Sequence, residues 1–229
     1  MSDELKRNLY SVLNVVDKAA ARVGSRVTVV AATKTVSAEV VSNVIELGIK
    51  DVGENRVQEY LAKKDGVKGA EWHFIGTLQR NKAKYLVGNV SLIQSVSNLA
   101  LAEEIDRLAA KRGIVQSVLV ELNAGDEPNK TGAKTCEIDA LIERVGAMKN
   151  LSLRGLMAVP PKNATDAVYR SAYGIFEKHR GGAFDILSVG MSGDYERAIE
   201  FGSNMVRIGT AIFGQRAGYG LSQNQQEEN

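Results

Sequence analysis

Residues 27–35 of the chain read VTVVAATKT, an apolar run that ends at a lysine. Five of its first six residues are Val or Ala, a composition typical of a strand buried on both faces. Lysine is costly to bury and is usually found at the surface. Lys34 is therefore either a solvated strand end or a functional amine at the edge of a sheet, and the surrounding chain has to distinguish the two.

The pattern that begins there, an apolar run followed by a helical segment, continues along the chain and gives eight predicted strands. Such alternation indicates parallel βαβ units, and eight units predict a (β/α)8 barrel, or TIM barrel. A helical pattern at residues 4–23 adds an extra N-terminal helix. A doubly wound sheet is the alternative, but it normally has fewer strands, and no GxGxxG motif opens a helix here. The predicted strands lie at 27–32, 49–55, 72–76, 91–96, 115–123 and 152–160, within 184–194 and within 203–214.

Several residues mark the predicted helices. Ser37 is a predicted N-cap, and Gly48 and Gly113 are predicted helix ends. RNKAKYLVG, residues 80–88, is predicted to be helical. Cys136, the only cysteine of the sequence, is expected in the first turn of a helix with a structural role. A single cysteine excludes an intramolecular disulfide and a cysteine cluster for a metal.

The composition is that of an ordinary globular protein, with 229 residues of which 44% are hydrophobic and 24% charged. A net charge of +2 without a basic aromatic stripe argues against nucleic acid as a partner. The sequence shows neither a signal-peptide pattern nor an apolar run long enough to span a bilayer, so we expect a cytoplasmic protein that does not bind membranes. Residues 1–216 are predicted to form one domain, and the polar segment 217–229 is expected to be a disordered tail.

Two features are predicted to meet at the carboxyl ends of the strands, where TIM barrels place their active sites. The first is Lys34. A partly desolvated lysine amine can attack a carbonyl, so Schiff-base chemistry is an option. The second is a phosphate site, which barrels form with the loops after strands seven and eight. GMSGD and RIGTAIFG occupy those two loops, and they supply backbone N–H groups and hydroxyls. The predicted phosphate ligands are Ser192, Gly193, Gly209 and Thr210, and an ordinary capped helix start is the alternative for each loop.

An amine opposite a phosphate cradle fits a phosphorylated carbonyl compound. Pyridoxal 5′-phosphate (PLP) fits, and so does the sugar phosphate of an aldolase. Arg207 interrupts the apolar stretch MVRIG, so its head is predicted to point into the barrel mouth, although an ion pair at the strand end is the alternative. Because arginine only donates, a pyridine nitrogen facing it would be unprotonated and a poor electron sink.

These stretches together resemble the pyridoxal phosphate homeostasis protein family, whose barrel is similar to that of alanine racemase, the type III fold of PLP proteins. The matching segments span nearly the whole chain in order. The resemblance implies a PLP imine on Lys34, a phosphate held by the four residues predicted above, and Arg207 facing the pyridine nitrogen. The segments are AATKT, GENRVQE, WHFIGTLQRNK, LMAVPP, LSVGMSGDYERAIEFGSNMVRIGTAIFG and, more loosely, NAGDEPNKTGA.

Further residues take roles by the same resemblance. Asn55 is implied to lie near the substituents of the PLP ring. His73 and Met157 are candidate ring neighbours, although a packed core position suits each of them equally. Lys130, in the loop after strand five, is implied to be a secondary PLP site, with a solvated loop lysine as the alternative.

A racemase needs a second acid or base on the ring face opposite the lysine. In alanine racemase a tyrosine from an added domain serves this purpose, but this chain is too short for such a domain, and its tyrosines fall in helical patterns or in the tail. We therefore predict a monomeric PLP-binding protein of cofactor homeostasis. It would buffer PLP or deliver it to apo-enzymes, with no catalytic residues and no metal. A PLP-dependent racemase or decarboxylase is the alternative, followed by an aldolase.

Overall fold

The computed structural model describes residues 2–214, in which eight parallel strands close into one barrel in the order β1 to β8. The predicted (β/α)8 barrel is confirmed. The strands are β1 Thr28–Ala32, β2 Asp51–Glu54, β3 Glu71–Phe74, β4 Leu92–Val96, β5 Gln116–Leu122, β6 Leu151–Ala158, β7 Ile186–Ser188 and β8 Met205–Ile208. The helices are α1 Asp3–Val23, α2 Ala38–Glu46, α3 Val57–Lys63, α4 Leu99–Arg112, α5 Ile138–Gly146, α6 Asp166–His179, α7 Tyr195–Glu200 and α8 Thr210–Phe213. The predicted tail and the domain end at residue 216 lie outside the described residues.

The extra N-terminal helix, α1, is also confirmed. Its apolar face is buried, and it ends at Gly24 in the left-handed conformation that suits a helix C-terminus. The helix packs against α7 and α8, the two helices that follow β7 and β8. Asn8 Nδ2 donates to the carbonyl oxygen of Ile212 at 3.3 Å, and Arg22 pairs with Glu196 at 2.6 Å. Helix α1 therefore supports the part of the barrel that carries the predicted phosphate loops.

Local helix signals are confirmed in part. Ser37 caps α2 by accepting from the N–H of Val40, and Gly113 follows α4. Cys136 is exposed and lies in the turn before α5, so the prediction that it belongs to the first turn of that helix was wrong. The reason is a local turn, because the N–H of Glu137 donates to the carbonyl oxygen of Lys134, three residues earlier, and the helix begins only after this turn.

The segment after β3 is a short 3-10 helix, Arg80–Tyr85, rather than the longer helix predicted for residues 80–88. Arg112 of α4 donates to the carbonyl oxygens of Lys84 and Val87, which are the acceptors that a continuing helix would use itself. A tertiary contact thus ends this helix early.

The interior of the barrel combines an apolar layer with a polar one. Val30, Leu92, Leu119, Met157 and Met205 form a separate buried cluster inside the barrel. The larger apolar core lies between the strands and the surrounding helices. The strand register sets which side chains face inward, since the partners in a parallel ladder point to the same face.

Candidate functional site

The carboxyl ends of β1 and β8 lie side by side. Ala31 pairs with Ile208, and a Cβ built on Gly209 would lie 3.2 Å from the carbonyl oxygen of Ala32. Lys34 follows β1 by two residues, and Gly209 follows β8 directly, so both leave the barrel at the same edge. Lys34 is exposed, whereas the sequence analysis expected a partly desolvated amine.

The loops after β7 and β8 are joined by the hydroxyl of Ser192. Its Oγ accepts hydrogen bonds from the N–H groups of Gly209 and Ala211, each at 3.2 Å. Two backbone N–H groups that converge on one oxygen form the donor set that a phosphate oxygen requires. Thr210 is exposed at the start of α8, between these two donors in sequence, and Gly193 is exposed next to Ser192. The donor set therefore fits a phosphate group.

The loop after β7 is held in one shape by two residues. Gly190 has a φ of 105°, and a Cβ there would lie 2.9 Å from Cα of Tyr195, so only glycine suits the position. Asp194 accepts from the N–H of Met191 at 2.7 Å through Oδ1. Its Oδ2 accepts from the phenol of Tyr169 at 2.7 Å. Burial and this bond raise the pKa of Tyr169 to about 12.

The sequence analysis missed both Asp194 and Tyr169. An aspartate directly before a helix, in GMSGDY, was a signal for the first of them. No sequence signal pointed to Tyr169, because α6 brings it to this loop only in the folded barrel.

Arg207 is buried inside the barrel at the carboxyl ends of β6 and β7. Its Nη1 donates to the carbonyl oxygen of Ser188 at 2.6 Å and to the Ser188 hydroxyl at 2.7 Å. Its Nη2 donates to the carbonyl oxygen of Ala158 at 3.0 Å. Burial lowers the pKa of Arg207 to about 10, although the negative charges of Asp194 and Glu121 act to raise it. The guanidinium therefore remains charged at neutral pH. These partners are neutral oxygens, and they differ from the carboxylate that the alternative prediction, an ion pair at the strand end, requires.

His73 and Met157 are both packed in the barrel interior. His73 is buried, with Nε2 3.0 Å from Asp51 Oδ1 and Nδ1 2.8 Å from Gln94 Nε2. Met157 is 1% exposed and belongs to the apolar interior cluster. His73 and Met157 thus occupy the packed core positions that the sequence analysis gave as the alternative for each. Contact with a PLP ring stays a prediction for both.

Asn55 and Lys130 lie at the mouth. Asn55 follows β2 directly and is half-buried, and a Cβ on Gly76 would lie 2.2 Å from its carbonyl oxygen. Lys130 is exposed and pairs with Glu127. It lines a cavity of about 280 Å³ together with Glu121. Its role as a secondary site stays a prediction.

A buried ion pair that the sequence analysis missed lies beneath the Lys34 loop. Lys63 Nζ is 2.7 Å from Glu54 Oε1 and donates to the carbonyl oxygen of Thr33 at 2.8 Å. The Thr33 hydroxyl donates to the same carboxylate oxygen of Glu54 at 2.6 Å. Burial raises the pKa of Glu54, although the Lys63 charge opposes that shift. The motif GENRVQE contained Glu54, but nothing in it indicated that this charge is buried.

Residues on both sides of Lys34 are fixed by this ion pair and its neighbour Glu59. Thr35 has a φ of 64°, an uncommon conformation for threonine, and its N–H donates to Glu59 Oε2 at 2.6 Å. Glu59 Oε2 also lies 3.6 Å from Lys63 Nζ. Thr33 and Thr35 are therefore both anchored, and the backbone of Lys34 between them has a defined position.

Comparison with known proteins identifies the family of this chain. Residues 2–217 match the family described as alanine racemase, N-terminal domain. The chain is 41% identical over 220 residues to the pyridoxal phosphate homeostasis protein of Aquifex aeolicus, which covers 91% of this chain and 96% of that protein. The chain belongs to the pyridoxal phosphate homeostasis protein family.

Two further relatives extend the comparison within the pyridoxal phosphate homeostasis protein family and its fold. The Escherichia coli protein of that name is 36% identical over 231 residues, with 93% of this chain and 97% of that protein covered. The structure of PipY from Synechococcus elongatus with PLP bound superposes with a TM-score of 0.77 at 26% identity. That match covers 92% of this chain and all of PipY, 100%. The resemblance seen in the sequence is confirmed.

Two absences hold for residues 2–214. No helix in this range combines the length and the apolar character needed to cross a membrane. Nor does this range contain a group of His, Cys, Asp and Glu side chains suited to a metal ion.

Proposed function

We propose that this protein binds PLP through an imine to Lys34 and takes part in PLP homeostasis by buffering the cofactor or delivering it. The observation that carries the proposal is the meeting of the Lys34 loop with the Ser192 and Gly209 loops at one edge of the barrel. The names of the relatives and the PLP-bound PipY structure support it. When bound, PLP supplies an aldehyde that reacts with amines.

In this proposal different residues bind different parts of PLP. Gly193, Gly209 and Thr210 would hold the phosphate with Ser192. Arg207 would face the pyridine nitrogen as a charged donor, so that nitrogen would accept a hydrogen bond and carry no proton. Asn55 would lie beside the ring substituents, with His73 and Met157 beneath the ring.

Limited turnover follows from two features of this site. A donor-only Arg207 opposite the ring nitrogen makes the ring a weak electron sink. Tyr169 donates to Asp194, and its raised pKa of about 12 keeps the phenol protonated at neutral pH, so it is not available as a base. A homeostasis role without catalysis, in the cytoplasm and as a monomer, is the function we favour. Apo PLP-enzymes are the recipients that fit a delivery role.

The test of this function uses purified protein incubated with PLP. We expect the imine absorbance band already in the protein as purified, which an aldolase would not show, and we expect transfer of the cofactor to an added apo PLP-enzyme. Delivery would be established if the transfer is faster than PLP that is free in solution can account for. Transfer at the rate at which PLP dissociates would establish buffering. A colourless protein that does not bind PLP would refute the proposal.

The PLP-loaded protein is expected not to racemise amino acids. A missing acid or base is worth about 10²–10⁴-fold in rate, so proton exchange should be a slow side reaction. The measurement incubates the loaded protein with L-alanine or L-serine in D₂O and follows α-proton exchange and chiral purity. Rapid, saturable loss of chirality that Lys34→Ala abolishes would favour the racemase alternative.

Thr210→Val is expected to weaken PLP binding by about tenfold, because a hydrogen bond to a charged group contributes about 1.5–3 kcal/mol. Ser192→Ala should act in the same direction. Thr165→Val is the matched control, since Thr165 is exposed before α6 and its side chain makes no cap hydrogen bond. Affinity is measured by titration of the absorbance band. Equal affinity in all three variants would mean that the phosphate binds elsewhere.

A further inference from the structure

A chain of side-chain hydrogen bonds runs through the barrel interior from Arg207 to Asp51. Arg207 Nη1 lies 2.7 Å from Ser188 Oγ, and Ser188 Oγ lies 2.7 Å from Gln94 Oε1. Gln94 Nε2 lies 2.8 Å from His73 Nδ1, and His73 Nε2 lies 3.0 Å from Asp51 Oδ1. The three central residues are buried, and Asp51, the first residue of β2, is partly exposed at the opposite end of the strands.

The chemistry of its two ends gives this chain one direction. Arginine only donates, so Ser188 accepts from Arg207 and has its own proton free for the amide oxygen of Gln94. A carboxylate only accepts, so His73 donates to Asp51 from Nε2. In the neutral ring Nδ1 is then an acceptor, and it faces the amide nitrogen of Gln94.

Met205 supports the same orientation of the Gln94 amide. The Sδ of Met205 lies 3.3 Å from Gln94 Nε2, and sulfur is a weak acceptor. Turning the amide over would put its oxygen against that sulfur and against the unprotonated Nδ1 of His73. With a neutral His73 ring, each group in the chain thus has a complementary partner in this orientation of the amide, and hydrogen bonds aligned in this way strengthen one another.

We propose that Gln94 and His73 are positioning residues for Arg207, which they reach through the Ser188 hydroxyl. Arg207 Nη1 divides its contacts between the carbonyl oxygen and the hydroxyl of Ser188. The orientation of that hydroxyl is set by Gln94, whose orientation is set in turn by His73 and Asp51. The chain therefore holds the guanidinium against the ring nitrogen of bound PLP. The role of these residues toward PLP rests on the proposed function, whereas the existence of the hydrogen-bonded chain does not.

The first experiment needs no cofactor. The sequence has two histidines, so ¹⁵N NMR of the PLP-free protein resolves His73 once His179→Gln identifies the other ring. We expect His73 to carry its proton on Nε2 with Nδ1 unprotonated. In Gln94→Glu a carboxylate, which only accepts, would face Nδ1, and we expect a proton on that nitrogen. A proton on Nδ1 of the unaltered protein would contradict the direction of the chain.

The second experiment reads the position of Arg207 through the bound cofactor. Gln94→Leu is expected to lower PLP affinity by about threefold to tenfold, the worth of one ordinary hydrogen bond, and to shift the absorbance maximum of the imine. Gln116→Leu is the matched control. Gln116 is also buried. It is the first residue of β5, and its side chain makes three hydrogen bonds there, with Gly88, Val90 and Ser117. We expect it to leave both readouts unchanged.

Ser188→Ala covers the case in which Gln94→Leu does not fold. It removes the hydroxyl and leaves the carbonyl oxygens of residues 188 and 158 for Arg207. The same loss of affinity and the same spectral shift are expected. A folded variant with unaltered affinity and spectrum would overturn the positioning role. If the unaltered protein bound no PLP, the proposed function would fail, while the NMR result would still decide whether the chain exists.

Discussion

Lys34→Ala is expected to remove the imine absorbance band that appears when the protein is incubated with PLP. The band requires a primary amine within reach of the aldehyde, and the anchored loop after β1 carries Lys34 at the same edge as the phosphate donors. In the unaltered protein, borohydride reduction followed by peptide mass mapping should show the added cofactor mass on Lys34. Weak binding without the band should persist in the variant, because the phosphate donors are untouched.

Lys130→Ala is the control for this prediction. Lys130 is an exposed lysine in another loop, paired with Glu127. PLP at this secondary site would add to the band without replacing the Lys34 imine, so loss of Lys130 should leave most of the band in place. A reduced cofactor found only on Lys130, or a band that survives in Lys34→Ala at full height, would show that Lys34 is not the imine residue.

Lys63→Met is expected to lower the free energy of unfolding by about 3–5 kcal/mol, because it leaves the buried Glu54 carboxylate without its partner. The side chains of Lys63 and Glu54 are 3% and 0% exposed, so water cannot replace the lost contact. The Thr33 carbonyl oxygen also loses its donor. Urea unfolding followed by circular dichroism measures the change.

The neighbouring lysine supplies the matched control. Lys64 pairs with Asp65 at 2.7 Å, with side chains 35% and 85% exposed, so Lys64→Met should cost less than about 1 kcal/mol. The double variant Lys63→Met with Glu54→Leu should recover much of the stability, since apolar groups can replace a buried pair. Equal effects of Lys63→Met and Lys64→Met would show that the buried pair does not stabilise the fold.

Loss of this pair should also reach the imine site. Thr33 and Thr35 are anchored by Glu54, Lys63 and Glu59, and both flank Lys34. In the fraction of Lys63→Met that remains folded, we expect slower imine formation than in Lys64→Met, because the lysine between the two threonines loses its defined position.

Much of the fold could be predicted because its determinants are local. Each strand is a short apolar run, and each helix has an apolar face with end signals such as Ser37 and Gly113. Eight repeats of that unit leave few architectures that bury every strand on both faces. One local prediction failed because a distant side chain intervened: Arg112 takes the acceptors that would have extended the helix at residues 80–88.

The candidate site divides in the same way. Its mouth residues could be identified because they lie within two residues of a strand end, as Lys34 lies after β1 and Gly209 after β8. The inner polar residues could not. Gln94 stands in an apolar strand with no motif that marks it, and the motifs that contain Ser188 and Glu54 do not indicate their buried partners. Asp194 and Tyr169 meet only because α6 packs beside the loop after β7.

The sequence by itself determined the eight βα units, the extra N-terminal helix and the edge at which Lys34 and the phosphate loops lie, because periodicity and strand ends are properties of neighbouring residues. Only the tertiary structure decided which polar side chains meet inside the barrel. Closing the sheet joins β1 to β8 and fixes the register of every strand, and that register alone brings Arg207, Gln94 and His73 into one hydrogen-bonded chain.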